Sequence, residues 1–140
     1  MPRIMVAAMA AFALSCVSVS ANAGDEWPEL IGVWTGTTEA VVIGDPLHHQ
    51  PGEMPHLSMV ALTITIEGQD GRRFWGTIAS PDHTENLVGV IANDLHTLYF
   101  ADSDGYAAIQ LIRSDVMDQC YLHATADTQD AGCTTFLRTQ

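Results

Sequence analysis

The stretch Ser58-Met59-Val60-Ala61-Leu62-Thr63-Ile64-Thr65-Ile66-Glu67 decides how this chain is read. Val60, Leu62, Ile64 and Ile66 fall on one side of a period of two, and Met59, Ala61, Thr63 and Thr65 on the other. That alternation is a β-strand with one apolar and one mixed face. Outward from it, β-branched and aromatic runs alternate with turn residues, and no long helical period interrupts them. Eight strands are expected, approximately Ile31–Ile43, Ser58–Glu67, Arg72–Ala79, Asn86–Ala92, Thr97–Ala101, Tyr106–Arg113, Gln119–Thr125 and Cys133–Thr139.

Asp70-Gly71 and Asp104-Gly105 mark hairpins, because Gly accepts positive φ. Asn93-Asp94 and Ser114-Asp115 act similarly. Gly44–His56 carries Pro46, Pro51 and Pro55 and is expected to lie outside the sheet, as a lid or binding loop. Eight antiparallel strands with short links close most naturally into an up-and-down β-barrel, which removes exposed edges. An open sandwich is the alternative.

Residues 1–23 read as a cleavable signal peptide: Arg3, an uncharged apolar run Ile4–Val19, then Ala21-Asn22-Ala23. The run is too short to span a bilayer. Lipidation at Cys16, after Ala13-Leu14-Ser15, is a second route. The expected layout is a leader followed by one domain over 24–140, exported to the periplasm or the extracellular space. Cys120 and Cys133 then remain as a matched pair, expected to be disulfide-bonded across the last hairpin, whose turn is read at Asp127–Gly132.

The chain has no Lys, and past the leader only Arg72, Arg73, Arg113 and Arg138 stand against 17 acidic residues. Nucleic acid and anionic membranes are therefore not expected partners. Schiff-base chemistry is excluded.

Gly32-Val33-Trp34 at the start of the first strand and Arg138 at the end of the last resemble the calycin pattern of lipocalins and avidin-like proteins. The resemblance implies that Arg138 packs across Trp34 near a closed end, and that the other end is an open mouth lidded by the first loop. No match to biotin-binding residues accompanies it.

Barrel topology sends the loops after strands one, three, five and seven to that mouth. They carry four of the six histidines, namely His48, His49, His56 and His83, with Glu53, Asp82, Asp102, Asp104, Asp127 and Asp130. His48, His49, Glu53 and His56 form a candidate transition-metal set, for zinc above all. A contact set for an organic ligand is the other functional reading: His48, His49, His56 and His83 with Trp75 and Tyr99 as cavity aromatics, Tyr106 and Phe136 being further aromatics of this kind. Asp102-Ser103-Asp104-Gly105 opens like a calcium loop but lacks its later acidic positions, and reads as a hairpin turn. Asp118 and His123 are a candidate acid/base pair without a nucleophile. Leu87, Val88, Val90 and Ile91 make a strand apolar on both faces, as do Ile109, Leu111 and Ile112, and suggest a covered outer wall in a homo-oligomer.

The leading expectation is an exported barrel binding one small, mostly apolar ligand at a histidine-rich end. The alternatives are a protease-inhibitor-like barrel with Gly24–Leu30 as trunk, a metal-binding barrel, and an isomerase- or cyclase-like enzyme for which no catalytic constellation is legible.

Overall fold

The computed structural model describes residues 26–139, so the expected leader, its cleavage site and Cys16 lie outside the described residues. Eight strands follow one another: β1 (Gly32–Gly44), β2 (Gly52–Asp70), β3 (Arg73–Ala79), β4 (Thr84–Ile91), β5 (Thr97–Ala101), β6 (Tyr106–Arg113), β7 (Val116–Ala124) and β8 (Gln129–Arg138). Each pairs antiparallel with its neighbours, and β8 pairs back onto β1, closing the barrel. Among the described residues there is no helix long and apolar enough to cross a membrane.

The period of two sorts the side chains. Leu62, Ile64 and Ile66 point inward and are buried, as are Phe74 and Ile78 of β3, Leu87 and Ile91 of β4, and Leu98 and Phe100 of β5. The second faces of the doubly apolar strands, including Val88, Val90 and Ile112, are exposed on the outer wall.

Two boundaries differ most from expectation. Gly44–His56 is not wholly outside the sheet: β2 already begins at Gly52, and the loop is only Asp45–Pro51. Pro55 is tolerated because β3 reaches no further than Ala79 opposite Thr63, so this part of β2 pairs with β1 alone. Pro55 also sits where the β1–β2 register is irregular, between the pairs Val42–His56 and Gly44–Gly52. The last turn is Thr125–Thr128, not Asp127–Gly132: the Thr125 N–H donates to Thr128 O (2.8 Å), and the Thr128 N–H donates to the Thr125 hydroxyl (3.1 Å). Gly132 is a strand residue whose absent Cβ would lie 2.8 Å from the Ala40 Cβ and 2.9 Å from the Thr38 hydroxyl. It marks a close approach of strands rather than a turn.

The closed end is sealed from below. Trp34 is buried and pairs in register with Arg138, whose guanidinium lies 5.3 Å from the indole centroid. The indole N–H donates to Leu30 O (3.0 Å), and Arg138 donates to the carbonyls of Glu29 and Ile31. Leu30 is buried in the core, and Gln69 holds both the Leu30 N–H and the Pro28 carbonyl at 2.9 Å. Within the candidate trunk Gly24–Leu30, Pro28–Leu30 is thus tied to the barrel floor, with Trp27 beneath the Arg72 guanidinium. The four arginines among the described residues fall at this end: Arg72 and Arg73 by the β2–β3 turn, Arg113 by the β6–β7 turn, and Arg138 at the end of β8.

Cys120 and Cys133 are directly opposite in the β7–β8 ladder and are disulfide-bonded on the outer face. The bridge spans a sequence separation of 13 and constrains the unfolded chain. Replacing both cysteines with Ala is expected to lower unfolding free energy by about 3 kcal/mol in denaturant titration, with the barrel still formed. A loss near zero would mean the β7–β8 pairing persists in the unfolded ensemble.

Candidate functional site

The mouth is built from one tall and one short wall. On the tall side β1 and β8 pair up to Ile43–Gln129, and β2 continues past β3 to Gly52. On the short side the rim is the Ser80–His83 and Asp102–Gly105 turns. Asp45–Pro51 bends from the tall wall across the opening. A turn closes it, the His49 N–H donating to Pro46 O (3.3 Å), and the two adjacent histidines diverge to opposite walls.

His48 reaches the short wall. Its Nδ1 lies 2.8 Å from the Ser80 hydroxyl and its Nε2 2.9 Å from Glu85 Oε2. His49 reaches the tall wall, with Nδ1 2.8 Å from the Ser58 hydroxyl and Nε2 3.1 Å from Asp130 Oδ2. The His49 side chain is only 4 % exposed. The loop is therefore a plug fastened on both sides by imidazoles.

Below the plug lies a polar layer. The Ser103 hydroxyl donates to the second oxygen of Glu85. The Tyr121 hydroxyl lies 3.0 Å from Asp102 Oδ1 and 2.7 Å from Asp104 Oδ1. The Gly105 N–H also donates to Asp102 Oδ1 (2.9 Å), which fixes the β5–β6 turn. His123 points inward and bonds the Asp104 carbonyl through Nδ1. Burial raises the Asp102 carboxyl above the usual carboxylate range, and the Glu85 charge adds to this against the hydrogen bonds from Gly105 and Tyr121. Burial, then the bond to Asp104, pushes the Tyr121 phenol far up, so it stays a neutral donor.

The interior is filled. Trp34, Ile64, Phe74, Phe100 and Phe136 occupy the lower half and leave a cavity of about 10 Å³. In the upper half a cavity of about 20 Å³ remains, lined by Thr38, His48, His49, Leu62, Ile78, Asp102, Gln119, Tyr121, Asp130 and Gly132. That is room for one water molecule or one ion.

His48 and His49 thus lie at the mouth, but the four residues of the expected zinc set do not converge. Glu53 and His56 belong to β2, where Glu53 is exposed and the His56 nitrogens lie 3.1 and 3.0 Å from the carbonyls of Met54 and Gln50. His83 is exposed on the rim, with its ring edge-on to His48 at 6.3 Å. Trp75 and Tyr99 do not point into the barrel: they are 46 % and 51 % exposed on the outer wall, because Phe74 and Phe100 take the inward parity. Tyr106 is likewise exposed, and Phe136 is core. Asp118 and His123 stand on opposite faces of β7, Asp118 accepting from the Thr135 hydroxyl outside (2.7 Å). Sequence reading set Ser80 aside, because Ser80-Pro81-Asp82-His83 has triad residue types without triad spacing, and passed over Ser58, Glu85, Gln119 and Tyr121. A run of polar residues at one parity, Gln119, Tyr121 and His123, is the signal that marks the two β7 residues.

Ser80–His48–Glu85 and Ser58–His49–Asp130 are each a hydroxyl–imidazole–carboxylate chain, the arrangement that activates a nucleophile. In this structure the two chains hold the loop across the mouth.

No protein-family model matches the chain, and no curated protein matches it. Among solved structures, the S-type phycobiliprotein lyase CPES from Guillardia theta is similar at 13 % identity and a TM-score of 0.48, over 79 % of this chain and 88 % of that one.

A carboxyl that holds its proton more tightly when folded stabilises the fold fully below the unfolded value of 3.8, and that contribution is lost as pH rises through the raised folded value. Asp102→Asn removes the loss. In chelator-treated buffer the Tm of the variant relative to wild type is expected to climb between about pH 4 and about pH 7. A flat difference across that range would contradict the burial of this carboxyl.

Proposed function

We propose that this chain is an exported small-ligand-binding barrel whose site is the mouth, and that Asp45–Pro51 is the gate. The observation that carries this reading is the plug. His48 and His49 occupy the space a ligand would enter, and they are held there by side-chain contacts on two facing walls. Such contacts can be exchanged for ligand contacts without unfolding the sheet. Lifting the loop would uncover Leu62 and Ile78 as an apolar floor and Glu85, Asp102 and Asp130 as acceptors. The four arginines among the described residues belong to the other end, so the ligand that fits has an apolar body and a positively charged or hydrogen-bond-donating group. The lower barrel is packed, so the ligand stops at the layer of Leu62 and Ile78.

A ligand must compete with the closed loop, so unfastening the loop raises apparent affinity. The His48→Ala/His49→Ala double variant is expected to bind dansylcadaverine, an aromatic body with one ammonium, about tenfold or more tightly than wild type, with blue-shifted emission. Neutral Nile red is expected to bind less well. If neither dye binds either protein while circular dichroism shows both folded, the mouth is not a ligand site.

A further inference from the structure

Three polar atoms in the upper barrel are buried without a hydrogen-bond partner: Asp102 Oδ2, Gln119 Oε1 and Asp130 Oδ1. All three residues line the same cavity of about 20 Å³. Gln119 is 2 % exposed and Asp130 7 %. An orphaned buried acceptor costs the desolvation of that atom, and three around one void call for something that bonds to all of them. Next to this void, Glu85, Asp102 and Asp104 each offer a carboxylate oxygen, and these oxygens lie within 4.8 Å of one another. With no Lys in the chain and Arg72, Arg73, Arg113 and Arg138 at the closed end, no permanent cation among the described residues reaches this cluster.

We infer that this cavity is a site for one hard divalent cation of the calcium or manganese class, held by Asp102, with Glu85 and Asp104 beside it, and by Gln119 of β7 and Asp130 of β8. The atoms left free are all oxygens, the donors such ions prefer. The imidazole nitrogens of His48 and His49 are already engaged by Ser80, Glu85, Ser58 and Asp130, so a zinc-type set is not what remains. The carboxylates are oriented by hydrogen-bond partners: Ser103 on one Glu85 oxygen and His48 on the other, Gly105 and Tyr121 on Asp102 Oδ1, Tyr121 on Asp104 Oδ1, and His49 on Asp130 Oδ2. That is the outer support on which metal ligands ordinarily depend. The site would also neutralise charge under the plug, whether or not the plug is a ligand gate, so it does not rest on the functional reading above.

The test uses the protein stripped with EDTA. Calorimetric titration with Ca²⁺, and with Mn²⁺ followed by loss of the free-ion paramagnetic resonance signal, is expected to give one ion per chain and a raised Tm. Asp102→Asn, and separately Glu85→Gln, are expected to weaken binding by about 10- to 100-fold. Asp118→Asn, on the outer face of β7, is expected to leave it unchanged. No stoichiometric uptake of either ion, with the same Tm in EDTA and in Ca²⁺, would overturn the inference and leave a buried water on the three acceptors. So would uptake that survives Asp102→Asn but is lost in His48→Ala/His49→Ala, since that places the ion on the histidines. The dye experiment and this one fail independently, because one reads the open mouth and the other the floor beneath it.

Discussion

Pairing β8 back onto β1 fixes the volume inside the molecule, and everything else answers to that volume. An eight-stranded barrel is just wide enough for its own side chains to fill. Trp34 and Arg138 are the last pair of that closing ladder, and they also draw in Leu30 and the carbonyls of Glu29 and Ile31 as a floor. Above the floor, aromatic and branched residues complete an apolar lower half. The upper half is lined instead by Thr38, Gln119, Tyr121, His123 and Asp130, which cannot pack dry without partners. The Asp45–Pro51 loop supplies His49 to Asp130, and His48 to Glu85. Plug and polar layer are one solution to one problem: polar walls facing a space that strands alone do not fill.

The fold was legible because its signals are local. Alternation in Ser58–Glu67 and the turns at Gly71 and Gly105 need only a few neighbouring residues, and the Trp34–Arg138 pair needs only the first and last strands; each holds in three dimensions, although of the two glycines only Gly71 takes positive φ. The disulfide followed from the register of a short hairpin, although the turn itself formed on Thr125 and Thr128. The site was less legible. Glu85, Gln119 and Asp130 come from three strands, and no spacing in sequence announces that β4, β7 and β8 meet around one cavity. Trp75 and Tyr99 were misplaced because strands apolar on both faces carry no parity signal. Pro55 misled because a proline argues against a strand only where both sides of that strand are paired, and this part of β2 has one partner.

Charge is sorted along the barrel axis. Guanidinium groups gather at the sealed end, and at the mouth carboxylates meet imidazoles. Histidine is the residue suited to that position: it can fill space, accept from Ser58 or Ser80, and donate to Asp130 or Glu85. Two adjacent histidines on a short turn bridge both walls, where one could hold only one. A loop fastened this way closes the barrel while the sheet beneath it stays intact when it opens.

Everything said of the mouth depends on His48 and His49 being down inside it. Nitrogen-detected NMR of the histidine rings reads this directly. The account predicts that ring N–H protons of His48 and His49 exchange slowly with solvent and that each ring shows one fixed tautomer, unlike the exposed His83 and His96. Ring protons of all four exchanging alike, with averaged tautomers, would contradict it and leave the loop lying free of the barrel.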